Sequence, residues 1–203
     1  MSISAGPHVG ILVFDDADEL DIVGPFSVFA NWAAHSALQP TVTTFSHDGA
    51  GVRLAHGLRL VPAAAADELN ALHVLVHPGG AGVGALVSSP VHLEWLRTAH
   101  KGTPVIAGVG TGVLALAAAG MLAWRPAVTL RGHVDALLAV DPSVVVESGA
   151  SFVDDGDVVT SAGITGGIDL ALHLVARLET PTAARAVRER IAHESASDLD
   201  DGL

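Results

Sequence analysis

The stretch Val105-Ile-Ala-Gly-Val-Gly-Thr-Gly-Val-Leu-Ala-Leu-Ala-Ala-Ala-Gly120 constrains this chain more than any other. Val105 to Val109 is a continuous apolar run and reads as a strand buried on both faces. The chain then turns tightly at Gly110 and continues as a helix from Thr111 to a C-cap glycine at Gly120. A strand that breaks sharply into a helix is how α/β enzymes lift a nucleophile to the top of a sheet. The helix start then offers backbone N–H groups and a positive dipole end to an anion. Here the tip of the turn is glycine, which has no side chain to attack with.

The rest of the chain supplies the sheet and its helices. Val9 to Phe14 reads as a central strand, followed by the acidic loop Asp15-Asp-Ala-Asp-Glu-Leu-Asp21. Ile22 to His35 has helical periodicity, with Pro25 expected in the first turn, where a missing N–H costs little. Thr41 to Phe45 is a second strand, and Val52 to Leu60 a hairpin-like excursion. Asp67 to Leu72 reads as a short helix. His73 to His77 is a third strand, which runs into Pro78-Gly-Gly80. Pro90 to His100 is an amphipathic helix. After the strand–turn–helix, short strands are predicted at Val128–Leu130, Val144–Glu147, Phe152–Asp154 and Val158–Ser161, with a short helix at Val134–Leu138. Asp155-Gly156 is a hairpin turn. Thr165 to Leu178 is an apolar helix, and Thr180 to Glu194 a last one capped by Thr180 with Pro181 at N1.

Strands alternating with helices predict an α/β fold: a doubly wound, mostly parallel sheet with helices on both faces. No domain boundary interrupts residues 1–194, and 195–203 reads as an acidic, fraying tail. The 203 residues suffice for one core that buries roughly 70% of the unfolded surface. The Gly-rich turns at Gly79–Gly80 and Gly108–Gly112 are expected on one edge of the sheet. Ligands bind at such an edge in open α/β folds.

Composition removes several function classes. There is no cysteine, which excludes disulfides, zinc–thiolate sites, iron–sulfur ligation and thiol nucleophiles together. A net charge of −12 with ten Lys and Arg argues against a nucleic-acid partner. Mean hydropathy is +0.48, yet no apolar run reaches the ~18 residues needed to span a bilayer. No membrane association is expected. The N-terminus has neither a basic segment nor a leading apolar one, so a cytoplasmic location is expected. The 11 histidines show no metal-ligand spacing, and Gly79-Gly-Ala-Gly82 is too short for a phosphate loop. No metal and no cofactor are predicted.

Four pieces occur in order: Glu19-Leu-Asp-Ile-Val-Gly-Pro-Phe-Ser-Val-Phe29, His77-Pro-Gly-Gly-Ala-Gly82, Gly110-Thr-Gly-Val-Leu-Ala-Leu-Ala-Ala-Ala-Gly-Met-Leu122 and Ser161-Ala-Gly-Ile-Thr-Gly-Gly-Ile-Asp-Leu-Ala-Leu172. Together they resemble the DJ-1/PfpI superfamily, and within it the isonitrile hydratase branch. The same module forms the ligand domain of some AraC-type regulators. The chain leaves about one helix after the α/β unit, so a DNA-binding region is not expected. The resemblance implies a flavodoxin-like fold, a homodimer and a site at the elbow. In the family the elbow reads Cys-Thr-Gly, with cysteine the nucleophile. Here it reads Gly110-Thr111-Gly112. The hydratase branch carries Thr-His-Trp where this chain has Thr129-Leu130-Arg131, and His133 lies near without matching. The family's acidic partner matches Asp21.

Asp21 is therefore the candidate catalytic residue. Its plain alternative is a helix N-terminal carboxylate that interacts with the dipole. In an apolar cleft its pKa rises by desolvation, which suits a general acid/base. Gly80, Ala81, Gly110, Thr111, Gly112 and His77 are the candidate substrate-binding residues; for Thr111 a plain helix start is the leading alternative, and for His77 a packed, satisfied histidine is an equal one. Backbone N–H groups at Thr111 and Gly112, with those near Gly80 and Ala81, would hold a developing negative charge. Gly110 reads either as an altered, inactive site or as space cleared for substrate. Asp15, Asp16, Asp18 and Glu19 read as a solvated face, and His56, His100 and His193 as surface residues. Trp32, Trp124 and Phe26 are candidate pocket walls, with core packing the plainer alternative. The expected function is a cofactor-independent lyase, hydratase or isomerase (a cyclase included) acting on a small apolar molecule. The alternatives are a ligand-binding relative without catalysis and an inactive variant of an isonitrile hydratase.

Overall fold

The computed structural model describes residues 6–163 and 165–194, so the predicted tail lies outside the described residues. The chain opens with β1 (His8–Leu12), α1 (Glu19–His35) and β2 (Thr41–Ser46). The excursion follows as β3 (Val52–Arg53) and β4 (Arg59–Leu60), paired antiparallel. Next come β5 (Ala64–Ala65), β6 (Val74–His77), α2 (Val83–Val87) and α3 (Pro90–Gly102). The elbow segment is β7 (Val105–Val109), a single 3-10 turn at Gly110–Gly112, and α4 (Val113–Ala118). The chain finishes with β8 (Pro126–Ala127), α5 (Val134–Val140), β9 (Val145–Val146), β10 (Phe152–Asp154), β11 (Val158–Ser161), α6 (Gly166–Leu178) and α7 (Pro181–Arg190).

Seven strands form one sheet in the order β10-β11-β7-β6-β1-β2-β5. Every pairing is parallel except β10 with β11, which the Asp155-Gly156 turn joins. The expected doubly wound fold is present. The helices fall into two groups: α1, α6 and α7 pack together, and so do α2 through α5. Parallel strands covered on both faces must be apolar throughout. Val74, Leu75 and Val76 of β6 and Ile106, Ala107 and Val109 of β7 are accordingly all buried.

Several boundaries differ from the sequence reading, and the reasons are local. α1 begins at Glu19, not Ile22, because Asp18 caps it: its Oδ1 accepts from Leu20 N at 2.9 Å and Asp21 N at 3.4 Å. Pro25 therefore sits inside the helix and supplies no N–H to the Asp21 carbonyl. It packs against α6, where a Cβ on Gly167 would lie 3.4 Å from Pro25 Cγ. The predicted helix at Asp67–Leu72 is only a 3-10 turn at Ala66–Glu68. The strand predicted at Val128–Leu130 lies two residues earlier, at Pro126–Ala127, paired with β9. There Val128 N and Thr129 Oγ1 bond to Thr160 Oγ1 and the Gly110 carbonyl, not to a ladder. α7 stops at Arg190, four residues short of the predicted end. Gly120 ends α4 as predicted, at φ +81°.

Candidate functional site

Two loops at the carboxyl ends of β1 and β6 clasp each other beside the elbow. Asp18 N donates to the Gly79 carbonyl at 2.9 Å and Gly82 N to the Asp16 carbonyl at 3.1 Å. Ala17 and Gly80 form an isolated antiparallel bridge. The acidic loop is thus a fastening as well as a face to solvent: Asp15 and Asp16 are exposed, as the sequence suggested, while Asp18 and Glu19 are half-buried. Asp15 Oδ1 accepts from Arg53 N at 2.8 Å. Glu19 accepts from His56 N and pairs with the His56 ring at 2.7 Å, tying the β3–β4 hairpin to the start of α1.

This fastening places Asp21 in the first turn of α1, against the Pro78–Gly79 loop and below the elbow. The residue is only 3% exposed. Gly79 N donates to its Oδ2 at 2.9 Å, while Oδ1 is buried without a partner. Burial pushes the Asp21 carboxyl up to about 6, the Gly79 bond pulls it down, and the charge of Asp18 pushes it up. The position near a helix N-terminus favours the anion, so desolvation is the stronger influence.

Gly110 faces this carboxyl. Its φ is +57°, a left-handed conformation that glycine adopts without penalty. Thr129 Oγ1 donates to its carbonyl at 2.8 Å and fixes the turn. Thr111 Oγ1 accepts from Gly80 N at 2.9 Å, so that N–H is already engaged and is not available to substrate. The Thr111 hydroxyl hydrogen is not used in that bond.

A cavity of about 270 Å³ opens over these groups, lined by Asp21, Gly80, Ala81, Gly110 and Thr111 among the predicted residues. His77 and Gly112 do not line it. His77 is fully buried behind the loop. Gly112 packs on the backbone of that loop, where a Cβ would come 2.3 Å from the His77 carbonyl oxygen. The predicted aromatic walls are elsewhere: Trp32 is core and bonds Glu179, Phe26 is on the surface, and Trp124 is 82% exposed. His193 is half-buried and pairs with Asp169 at 2.9 Å, and His100 is half-buried against Asp157 at 2.7 Å.

The sequence reading missed four lining residues: Asp18, Leu130, His133 and Gly163. His133 stands out, because its Nδ1 is buried with no partner. Among the described residues, three buried side-chain polar atoms lack a partner, and Asp21 and His133 contribute two of them to one cavity. Unpaired buried polar atoms cost free energy and are uncommon. A ligand that donates to Asp21 Oδ1 and engages His133 would satisfy both. Among the described residues, no cluster of three His, Asp or Glu side chains is placed to hold a metal ion, and no helix is long and apolar enough to cross a membrane.

Comparison with known sequences now bears on this arrangement. The sequence profile described as the DJ-1/PfpI family matches residues 7–177. The chain belongs to the DJ-1/PfpI family. It is 32% identical to an isonitrile hydratase of Pseudomonas putida over 195 residues, which is 96% of this chain and 82% of the relative. It is 35% identical over 102 residues to the HTH-type transcriptional regulator CdhR of Pseudomonas aeruginosa, covering 50% of this chain and 30% of the regulator. Among solved structures it is similar to a ThiJ/PfpI family protein from Pseudomonas syringae, with TM-score 0.83, 26% identity, and 94% of this chain and 76% of that one covered. Family members thus include an enzyme of small molecules and, over part of the chain, transcriptional regulators.

Proposed function

We propose that this protein is a cytoplasmic, cofactor-independent lyase of the hydratase type. Asp21 acts as its general acid/base on a small, largely apolar molecule. One observation carries the reading: Asp21 lines a 270 Å³ cavity beside Gly110, and its Oδ1 is buried without a partner. A carboxyl near 6 holds a proton it can deliver at neutral pH and accepts one back readily. In a hydration, Asp21 gives its proton to the substrate atom over Gly110, and water attacks the activated carbon. The carboxylate then takes a proton from that water, so the catalyst is restored and one water is added. Isonitriles are the first substrate class to try, since the similar Pseudomonas putida protein is an isonitrile hydratase. No thiol is needed in this scheme.

The experiment is product detection by mass spectrometry on small isonitriles and on small substrates of elimination and isomerisation. The expected result is a product that falls at least about 100-fold with Asp21→Asn. Undiminished product removes Asp21 from the mechanism. The second reading, a non-catalytic ligand-binding relative, is favoured by the missing nucleophile and by the similarity to part of a regulator. It predicts saturable binding and no product.

We also infer a homodimer. Leu20, Val23 and Phe26 follow one another at three-residue steps along α1 and are exposed. An apolar stripe beside the catalytic aspartate supports pairing with a second copy.

A further inference from the structure

His77 does not reach the cavity, yet it is tied to Asp21. Its ring ends a file of three imidazoles that starts at His47, an exposed residue. His47 Nε2 lies 2.9 Å from His92 Nδ1, and His92 Nε2 lies 3.1 Å from His77 Nε2. His77 Nδ1 lies 2.9 Å from the Pro78 carbonyl oxygen. A carbonyl only accepts, so His77 Nδ1 carries the proton. Nε2 of the neutral ring is then an acceptor, and His92 Nε2 must donate to it. His92 Nδ1 is in turn an acceptor, and His47 Nε2 donates. One backbone oxygen sets three tautomers. The file needs neutral rings, and burial supplies them. It pushes His77 down to about 4 and His92 down to about 3, with neighbouring imidazoles adding to both, and it lowers His47 against the pull of Asp48.

The Pro78 carbonyl and the Gly79 N–H are the two ends of one peptide unit. Its oxygen accepts from His77, and its N–H donates to Asp21 Oδ2 at 2.9 Å. A hydrogen bond at an amide oxygen polarises the amide and strengthens its N–H as a donor. We propose that His77, its Nδ1 proton fixed by the Pro78 carbonyl and its Nε2 engaged by His92, is a positioning residue for the Asp21 carboxyl, acting through the Pro78–Gly79 peptide. The inference rests on Asp21 being the working carboxyl. The peptide has little freedom to do otherwise. Gly112 packs directly on its carbonyl, where an added Cβ would come 2.6 Å from the Pro78 oxygen. The other titratable groups around Asp21 are Asp18 at the start of α1 and His133 across the cavity. Neither touches the imidazole file.

The test is the titration of the Asp21 side-chain carbon by NMR, without substrate, in the wild type, His77→Asn and His77→Gln. Asparagine places an N–H donor where Nδ1 stood and cannot reach His92. Glutamine reaches toward His92 and leaves the Pro78 oxygen without its donor. The expected result is an unchanged Asp21 midpoint in His77→Asn and a rise of about half a pH unit or more in His77→Gln, because the carboxylate loses part of its hydrogen-bond support. Equal midpoints in the two variants, shifted or not, overturn the proposal. The wild type gives a check that needs no variant to fold. The ¹⁵N spectrum of His77 should show a protonated Nδ1 and an unprotonated Nε2 at neutral pH, and the opposite tautomer overturns the proposal. A normal titration pattern with full turnover in Asp21→Asn would instead defeat the functional reading and leave the positioning intact.

Discussion

Gly110 and Asp21 are set so that a β-carbon on Gly110 would lie 2.9 Å from Asp21 Oδ2, inside contact distance. The turn therefore has room for a side chain only if the carboxyl moves. Gly110→Ala is expected to cost about 1–2 kcal/mol, from the left-handed backbone and the contact together. Thermal unfolding measures it. The same variant should lose Asp21-dependent turnover. Gly110→Cys separates two histories. If the protein is an isonitrile hydratase without its nucleophile, cysteine should create isonitrile hydration. If Gly110 is cleared space, cysteine should reduce whatever turnover the wild type has.

Asp21→Asn should stabilise the fold while removing activity. The carboxyl stands at about 6 in the folded chain against 3.8 for a free side chain. The folded state therefore binds more protons between those values, and its stability falls as pH rises from about 4 to about 6. Above 6 the full cost is present, up to about 3 kcal/mol for a shift of this size in a residue this buried. The amide carries no such cost and its oxygen still accepts from Gly79. The variant's melting temperature should exceed the wild type's at pH 8 and match it near pH 4. A melting temperature lower than wild type at pH 8 would contradict the burial argument.

Activity should follow the same group. A hydration that begins with protonation of substrate needs Asp21 protonated in the free enzyme. The rate constant kcat/KM should then decline as pH rises through about 6. Stability has an opposite limb. His77 and His92 are held neutral with pKa values of about 4 and 3, below that of a free imidazole. The unfolded chain binds more protons below pH 6.5, so stability is complete above that value and is lost as pH falls toward 4. Circular dichroism melts from pH 4 to 8 should show this acid loss, and it should be steeper in Asp21→Asn.

Much of this was legible in the chain, and the exceptions share a cause. β7 is found at its predicted bounds, because five buried apolar residues before a glycine turn leave no alternative. The nearness of Asp21 to the elbow followed from two loops expected at one sheet edge. The start of α1 differs because Pro25 reads as a first-turn proline and Asp18 reads as one of several solvated carboxylates. Only the bonds from Leu20 and Asp21 to its side chain identify the cap. His77 ends a strand at the right edge, which reads equally as a pocket residue or as a packed, satisfied histidine, and it is the latter. Strand order alone cannot say whether a side chain points to the cavity or to the helix layer behind it. Leu130 and His133 are signalled only by the family's Thr-His-Trp position, which Leu130 occupies and His133 does not match, since residues 128–133 form no regular ladder and reach the site through tertiary bonds.

The stripe of Leu20, Val23 and Phe26 gives a separate prediction. These residues are exposed on the helix that carries Asp21. Val23→Glu places a charge in the middle of the stripe, where a second copy would bury it. Light scattering should then report a monomer where the wild type is a dimer. If the wild type is itself a monomer at micromolar concentration, the pairing reading fails.

Thr129 supplies the last prediction. Its hydroxyl is buried and donates to the Gly110 carbonyl at 2.8 Å, and no other bond from a described residue's side chain reaches the elbow's backbone at that position. Thr129→Val keeps the shape and removes the donor. The Gly110 carbonyl then loses its side-chain donor, and a bond of this kind contributes about 0.5–1.5 kcal/mol. Thr129→Ser keeps the hydroxyl and should recover most of that stability. The activity comparison is sharper than the stability one. If Gly110 must hold its left-handed turn to keep space open above Asp21, Thr129→Val should lower kcat more than it raises KM, and Thr129→Ser should restore kcat. Equal activity in both variants would mean that the elbow holds its form through β7 and α4 alone.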